Sequence, residues 1–361
     1  MVENNKQFKR IQQNIIVPDS LSGTRLDQIL SQLLPEYSRS ILQKWLKEGN
    51  ILIDNQQLKP KQKLLGGEEI QIDVTILPIN SNWQPQEMPL DIVFEDDDIL
   101  VINKPYGLVV HPGAGNIDQT LSNALLAHSE NFSQVPRAGI VHRLDKDTSG
   151  LMVCAKSLEA HNSLVQQLQE RTVKREYEAI ACGLIAAGET IKTNIGRHPH
   201  NRLKMAVIKE GGKPAITHFN VVERYRAHSR IRCQLETGRT HQIRVHLQHK
   251  NYPLLGDPLY NPRLQLPKGI CNDLSDALKD FKRQALHAYH LSFIHPISKK
   301  QVSFKQKPPE DVLNLIELLR KDYQILAQNY YDTLNQWQDF EDDWDDEFED
   351  DSDFYDDNDE K

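Results

Sequence analysis

The chain has 361 residues, of which 39% are hydrophobic, so it can bury a sizeable core and form two or three domains. No apolar run is long enough to span a membrane and the N-terminus lacks a secretion pattern, which predicts a cytoplasmic protein. The cysteines are far apart, without metal-ligand spacing, and are expected to be reduced core residues: Cys154, Cys182, Cys233 and Cys271.

The net charge of −8 is unevenly distributed. Residues 339–361 contain 15 acidic side chains and one lysine, whereas residues 1–338 carry 42 basic and 36 acidic side chains. Between residues 135 and 250 there are 20 basic and 10 acidic side chains. This basic middle favours a phosphate backbone as partner, although each lysine or arginine could simply solvate the surface.

Residues 1–16 are polar and are expected to form a flexible arm. Apolar spacing then predicts one helix ending near Leu34, a second helix from Ser38 or Ser40 to Gly49, and strands at residues 51–53 and 70–72. The strings Thr-Arg-Leu-Asp and Gly-Asn-Ile-Leu-Ile-Asp make residues 17–76 resemble an S4-type RNA-binding domain. The segment is not net basic, so RNA contacts are expected from one face of the second helix: Arg39, Lys44 and Lys47.

Residues 77–89 hold three prolines and little periodicity, which indicates a linker with a boundary near Trp83. A second domain is expected from residue 90 to residue 328. It begins with a buried strand at residues 99–104 and a glycine-containing loop, His111–Gly115. No Gly-Lys-Ser/Thr follows this loop, which excludes a nucleotide-hydrolysing P-loop. Residues 121–128 can form a short helix.

The segment from His142 to Gly150 combines four charges with a histidine and precedes an apolar strand at residues 151–155. It is therefore predicted to be a loop delivered by a strand, a common position for catalytic groups. The alternative is a solvated turn in which Asp145 and Asp147 pair with Arg143 and Lys146.

Two later segments also carry candidate residues. Tyr177 lies in a predicted strand at residues 174–183, where it could simply be a packing residue. Residues 230–236 alternate as a half-buried strand, after which Gly238 permits a turn and Thr240 can cap a helix. His241 and His246 could suggest a metal site, but no acidic or cysteine ligand stands at a suitable spacing.

Three blocks resemble the RluA-type pseudouridine synthases: His-Arg-Leu-Asp followed by Ser-Gly, Lys-x-x-Tyr, and Thr-Gly-Arg-x-His-Gln-Ile-Arg. The resemblance covers about residues 17–325, and within the family the chain is similar to members that act on the large ribosomal subunit. It implies an α+β protein whose catalytic domain has a mixed, mostly antiparallel sheet flanked by helices and loops. The implied substrate is uridine in 23S ribosomal RNA, in the loop of helix 69, bound as free RNA or as the large subunit by a monomeric enzyme.

The resemblance also implies roles for individual residues. Asp145 would be the sole catalytic carboxylate, paired with Arg239, and Tyr177 would stack on the flipped uracil. Arg143 would fill the gap left in the RNA stack, and Lys146 would hold phosphates. Isomerising uridine adds no atoms and changes no oxidation state, so no metal, nucleotide or other cofactor is expected.

Two other functions stay open at this point: an RNA-binding ribosome assembly factor without isomerase activity, and a glycosidic-bond hydrolase that leaves an abasic site. A helix is expected from residue 309 to residue 326. The acidic segment 337–361 is expected to be a disordered solubilising tail. Its aromatic residues at helical spacing suggest an alternative, an RNA mimic that folds onto a basic surface: Trp337, Phe340, Trp344 and Phe348.

Overall fold

The computed structural model describes residues 9–34, 37, 39–76, 83–113 and 116–345, with the backbone alone described for residues 9, 39–40, 75–76 and 333–345. The N-terminal unit contains β1 (Lys9–Ile16), α1 (Leu26–Leu33), α2 (Arg39–Glu48), β2 (Ile51–Ile53) and β3 (Glu69–Ile76). Its antiparallel sheet has the order β1-β3-β2. The apolar faces of both helices share one core with this sheet, including Leu26, Leu30, Leu42, Trp45, Ile51 and Ile70.

Strand β1 shows that the prediction of a flexible arm was wrong for residues 9–16. The strand pairs with β3 along its whole length, and Arg10 forms an ion pair with Asp73 at 2.7 Å. Few of its side chains are apolar, so its stability depends on a partner about sixty residues away rather than on its own pattern. Residues 1–8 lie outside the described residues.

The remaining elements build one ten-stranded sheet with helices and loops around it. They are β4 (Ile92–Glu95), β5 (Ile99–Lys104), α3 (Leu121–His128), β6 (Ser149–Ala155), α4 (Leu158–Gln169), β7 (Lys174–Cys182), β8 (Glu189–Arg197), β9 (Met205–Ile208), β10 (Lys213–Arg224), β11 (His228–Leu235), α5 (Gln242–His249), α6 (Asn272–Asp280), β12 (Leu286–Ile294), β13 (Gln301–Lys305) and α7 (Glu310–Asp345). The strand order is β4-β5-β6-β12-β7-β11-β10-β8-β9, and β13 pairs with β12. Strands β6 and β12 are parallel whereas the other pairs are antiparallel, which confirms the predicted mixed α+β fold.

The two faces of the central strands have different chemistry. On β11, Ile231 and Cys233 join a large apolar core together with Tyr177 of β7. Glu178 is on the opposite face of β7, where it binds Arg230 and Arg232 at 2.7 and 3.3 Å. The alternation predicted for β11 is therefore correct, and it assigns Tyr177 to the apolar face.

The C-terminal helix is longer than the sequence pattern predicted. Helix α7 continues from Glu310 to Asp345, so the prediction of disorder was wrong for residues 337–345, whose side chains are not described. Residues 346–361, like residues 77–82 of the predicted linker, lie outside the described part of the chain. None of the described helices is both long and apolar enough to cross a membrane.

Candidate active site

The loop that precedes β6 is fixed from several sides. The Thr148 N–H donates to the Asp145 carbonyl at 3.1 Å, which closes a turn around the carboxylate. The side chain of Gln284, just before β12, donates to the Thr148 hydroxyl at 3.0 Å. Because both partners of this second bond are buried, the backbone of Asp145 is held by the sheet as well as by its own turn.

A buried lysine supports the same loop from below. Lys104, at the end of β5, donates from Nζ to the carbonyls of Pro105, Leu108 and Lys146 at 2.7, 3.0 and 3.0 Å. Burial lowers the pKa of its ammonium group to about 7, although the negative charges of Asp147 and Asp145 oppose that shift. Lys104 therefore joins β5 to the Asp145 loop without entering the cavity described below.

Gly150 is required where β6 meets β12. Its φ is +118°, and a Cβ at this position would lie 2.3 Å from the carbonyl oxygen of Ala288. The adjacent Ser149 hydroxyl is 2.9 Å from Nδ1 of His287 on β12. Gly150 is thus part of the strand and allows a close parallel contact.

The Asp145 carboxylate is bound by Arg244 and not by the predicted arginine. Nη1 of Arg244 donates to Asp145 Oδ2 at 2.9 Å, while its Nε and Nη2 form a two-pronged pair with Asp257 at 2.7 and 2.9 Å. The prediction that Arg239 pairs with Asp145 was wrong: Arg239 Nε donates instead to the Pro214 carbonyl at 3.0 Å. The planar guanidinium can bind both acids because its donors point in different directions.

Helix α5 explains why Arg244 occupies this place. The helix starts at Gln242, and its N-cap is His241, which has a left-handed φ of 58°. The prediction that Thr240 caps the helix was therefore wrong. Arg244 is in the first turn of α5 and is 5% exposed. Arg239 precedes the helix, where its side chain points toward strand β10. Burial disfavours the charged form of Arg244, but hydrogen bonds and charges from Asp257 and Asp145 outweigh it and raise its pKa.

His241 is a site residue that the sequence analysis considered only as a metal ligand. Its Nε2 is 3.8 Å from Asp145 Oδ1, and its Nδ1 is 2.9 Å from the hydroxyl of Tyr260. Burial lowers the pKa of His241, against the opposing charge of Asp145. Because His241 has a left-handed backbone just before α5, helical periodicity in the sequence does not indicate that its side chain and that of Arg244 face the same carboxylate.

These side chains line a cavity of about 580 Å³. Tyr177, 6% exposed, forms part of its wall, and burial raises the pKa of its hydroxyl. Arg143 also lines the cavity and is exposed. His142 is half-buried in the wall, where its Nε2 accepts a hydrogen bond from the Val153 N–H at 3.2 Å; desolvation lowers its pKa to about 3. Among the described residues, the cavity lining thus combines one carboxylate, a buried aromatic ring and neutral histidines.

Comparison with known proteins identifies the fold and the chemistry. Residues 98–249 match the family model for RNA pseudouridylate synthase, and residues 24–70 match that of the S4 domain. A Neisseria meningitidis serogroup A protein named ribosomal large subunit pseudouridine synthase D is 54% identical over 327 residues, 90% of this chain and 86% of its own length. The chain belongs to the RNA pseudouridylate synthase family.

Further relatives agree with this assignment. A protein of the same name from Xanthomonas campestris is 51% identical over 307 residues, which cover 85% of this pseudouridylate synthase and 92% of the relative. The solved structure of human RNA pseudouridylate synthase domain containing 4 is 24% identical with a TM-score of 0.50, over 63% of this chain and 92% of that one. This last similarity concerns the fold alone. The enzyme is an isomerase that converts uridine in RNA to pseudouridine.

The predicted RNA-binding residues of this synthase lie in different places. Lys146 is exposed and follows Asp145, but its side chain does not line the cavity. Lys44 and Lys47 are exposed on α2, and Lys44 is 3.8 Å from Glu48 of the same helix. Arg39 begins α2, but its side chain lies outside the described residues. Their contacts with RNA stay predictions.

The histidines and the single aspartate that line the cavity among the described residues do not form a metal site. Within the described residues, no group of three or more histidine, cysteine or acidic side chains could hold a metal ion. His246 is 2.9 Å from the Thr193 hydroxyl and 2.8 Å from the Thr217 hydroxyl, which occupy both of its ring nitrogens. His246 therefore serves to connect α5 to strands β8 and β10.

Proposed function

We propose that this synthase isomerises uridine in 23S ribosomal RNA, in the loop of helix 69, with Asp145 as the catalytic carboxylate. The observation that carries the proposal is the Asp145 side chain, 16% exposed, held by Arg244 at 2.9 Å beside the Tyr177 ring in one cavity. The relatives' name, ribosomal large subunit pseudouridine synthase D, supports the RNA class. The S4 match supports a second contact with RNA.

The reaction breaks the bond from ribose C1′ to uracil N1 and forms a bond from C1′ to C5. The hydrogen on C5 is lost as a proton and N1 gains one, so the atoms balance without an oxidant. A carboxylate can attack C1′ or remove a proton, and both roles require its ionised form. The guanidinium of Arg244 stabilises that form while leaving Oδ1 of Asp145 facing His241.

The cavity supplies the other requirements of this reaction. A uridine inside an RNA stack cannot reach Asp145, so it has to turn out of the stack and enter the cavity. The Tyr177 ring offers a surface on which the uracil can stack, and Arg143 lies exposed at the cavity, where it can take the place of the extruded base. Enclosure also keeps the detached uracil from water.

The test is to map pseudouridines in 23S RNA from a strain lacking the chain, complemented with wild-type or Asp145→Asn protein. We expect wild-type protein alone to restore pseudouridine in helix 69, while the purified Asp145→Asn variant folds and binds RNA. Asp147→Asn is the matched control, because Asp147 is on the same loop but does not line the cavity.

Three results would contradict the proposal. Turnover by Asp145→Asn would remove the carboxylate from its role. Unchanged pseudouridine in the deletion strain, together with RNA binding, would favour the assembly factor. Loss of uracil from the RNA, instead of an isomer of unchanged mass, would favour the hydrolase.

A further inference from the structure

Arg175 is a buried cation that the reaction described above does not use. It lies on β7 two residues before Tyr177, on the same face of the strand, and both side chains line the cavity. The residue is 7% exposed. Its Nη2 makes one long hydrogen bond, 3.4 Å, to the Glu236 carbonyl, and its Nε is buried without a hydrogen-bond partner. No carboxylate among the described residues forms an ion pair with it.

A glycine gives this guanidinium its space. A Cβ at Gly238 would lie 2.9 Å from Nη1 of Arg175, closer than real side chains approach. The next residue, Arg239, brings a second guanidinium to the cavity, and among the described residues only its Nε has a hydrogen-bond partner, the Pro214 carbonyl. Burial, together with the charge of Arg239, lowers the pKa of Arg175. Arg175, Gly238 and Arg239 therefore line one part of the same cavity, which carries two positive charges.

Arg175 and Arg239 lack the acidic partners that Arg244 has among the described residues. Arg244 is equally buried, but Asp145 and Asp257 balance its charge. A buried guanidinium without such a partner is strongly unfavourable, and a neutral uracil carbonyl cannot balance two cations. A phosphodiester can, because it carries a full negative charge and its oxygens match the forked guanidinium donors. RNA brings a phosphodiester on each side of the target nucleotide.

We propose that Arg175 and Arg239 together bind one backbone phosphodiester next to the flipped-out uridine. The proposal rests on the proposed function in so far as RNA is the substrate. Residues two apart on one strand face are about 7 Å apart, so a phosphate at Arg175 lies beside the base that stacks on Tyr177 rather than on it. The pair is a positioning site: it holds the backbone while Asp145 reacts.

The test measures RNA affinity in an inactive background, so that turnover cannot alter the ligand. Arg175→Gln and Arg239→Gln, singly and together, are introduced into the full chain carrying Asp145→Asn, and binding to a helix 69 stem-loop is titrated over a series of salt concentrations. We expect each single variant to bind about 10-fold more weakly and the salt slope to fall by about 0.7, the loss of one phosphate contact in single-stranded RNA. The double variant should lose little more, because both residues share one phosphate.

The matched control is Arg232→Gln, which removes the same charge from the opposite face of the sheet, where Arg232 pairs with Glu178. It should leave affinity and salt slope unchanged. Thermal unfolding separates binding from structure: Arg175→Gln should not lower the melting temperature, because it removes an unbalanced buried charge. A merely structural role predicts a clear fall.

Unchanged affinity and salt slope in both single variants would overturn the proposal. So would slower turnover by Arg175→Gln, in the active background, with unchanged RNA affinity and salt slope, since the guanidinium would then act on the detached uracil. Failure of the proposed function is scored in a separate assay, as turnover by Asp145→Asn or as an unmodified site in helix 69.

Discussion

Replacing Arg244 by methionine should damage both the fold and the reaction. The change removes the two-pronged partner of Asp257, a residue that is 0% exposed, together with the single bond to Asp145. In the variant, Asp257 would still accept hydrogen bonds from the backbone N–H groups of Leu259 and Tyr260, which are at 2.9 and 3.0 Å. Its carboxylate would nevertheless remain buried without a cation.

Removing one partner of a buried ion pair costs about 3–5 kcal/mol. In a domain of this size each kcal/mol lowers the melting temperature by about 2–4 °C, so Arg244→Met should melt on the order of 10 °C below wild type. Asp145→Asn should melt within a few degrees of wild type, because Arg244 still has Asp257. Both variants should lose turnover.

The assay is urea or thermal unfolding of the purified variants beside a pseudouridine assay. A second change checks the cause. Adding Asp257→Asn to Arg244→Met keeps an oxygen for the N–H groups of Leu259 and Tyr260 while removing the unbalanced charge, so it should recover part of the lost stability. An unfolding free energy of Arg244→Met within about 1 kcal/mol of wild type would contradict this expectation, and so would a double variant no more stable than the single one.

Further predictions concern other parts of the molecule. The pKa of Lys104 is about 7 in the folded protein and 10.5 in the unfolded chain, so the unfolded chain binds more protons between pH 7 and 10.5. The unfolding free energy of wild type should therefore rise with pH in that range relative to Lys104→Met. Parallel pH profiles of the two proteins would contradict this. Gly238→Ala should displace the Arg175 guanidinium and weaken binding of the helix 69 stem-loop about 10-fold, measured by titration; unchanged affinity would show that the side chain moves freely. Tyr177→Leu should fold but bind RNA about 10- to 100-fold more weakly through lost stacking, and wild-type affinity would remove the ring from that role. Truncation after Gln336 should leave RNA affinity and its salt dependence unchanged; tighter binding would instead support the RNA-mimic interpretation.

Local sequence patterns were sufficient to predict those helices and strands whose buried apolar residues recur at helical or strand spacing. Residues 121–128 form α3 as the pattern predicted, and β2, β5 and β7 lie where strands were predicted. Strands β8, β9, β10, β12 and β13 and helix α6 were not predicted. For β1, the partner strand is distant in sequence and most side chains are exposed, so the pattern contained little information about pairing.

The site shows the same division between local and distant information. The loop around Asp145 and the ring of Tyr177 could be found from short motifs, and the structure brings both to one cavity. The choice between Arg239 and Arg244 could not be made from the motif, since it depends on where α5 begins and on Asp257, which is 13 residues beyond Arg244. Arg175 could not be identified as a candidate from the sequence, because what distinguishes it is the lack of an acidic partner among the described residues, which only the folded structure shows.

The close parallel contact at Gly150 has a consequence for biosynthesis. Ser149 meets a residue 138 positions further along the chain, so the loop bearing Asp145 cannot adopt its final backbone until strand β12 has been translated. Contacts of such long range are slow to form, and folding of this region should follow release of most of the chain. A nascent chain that ends before β12 would therefore lack a folded active site, even though Asp145, Tyr177 and Arg244 of the candidate site had already been synthesised.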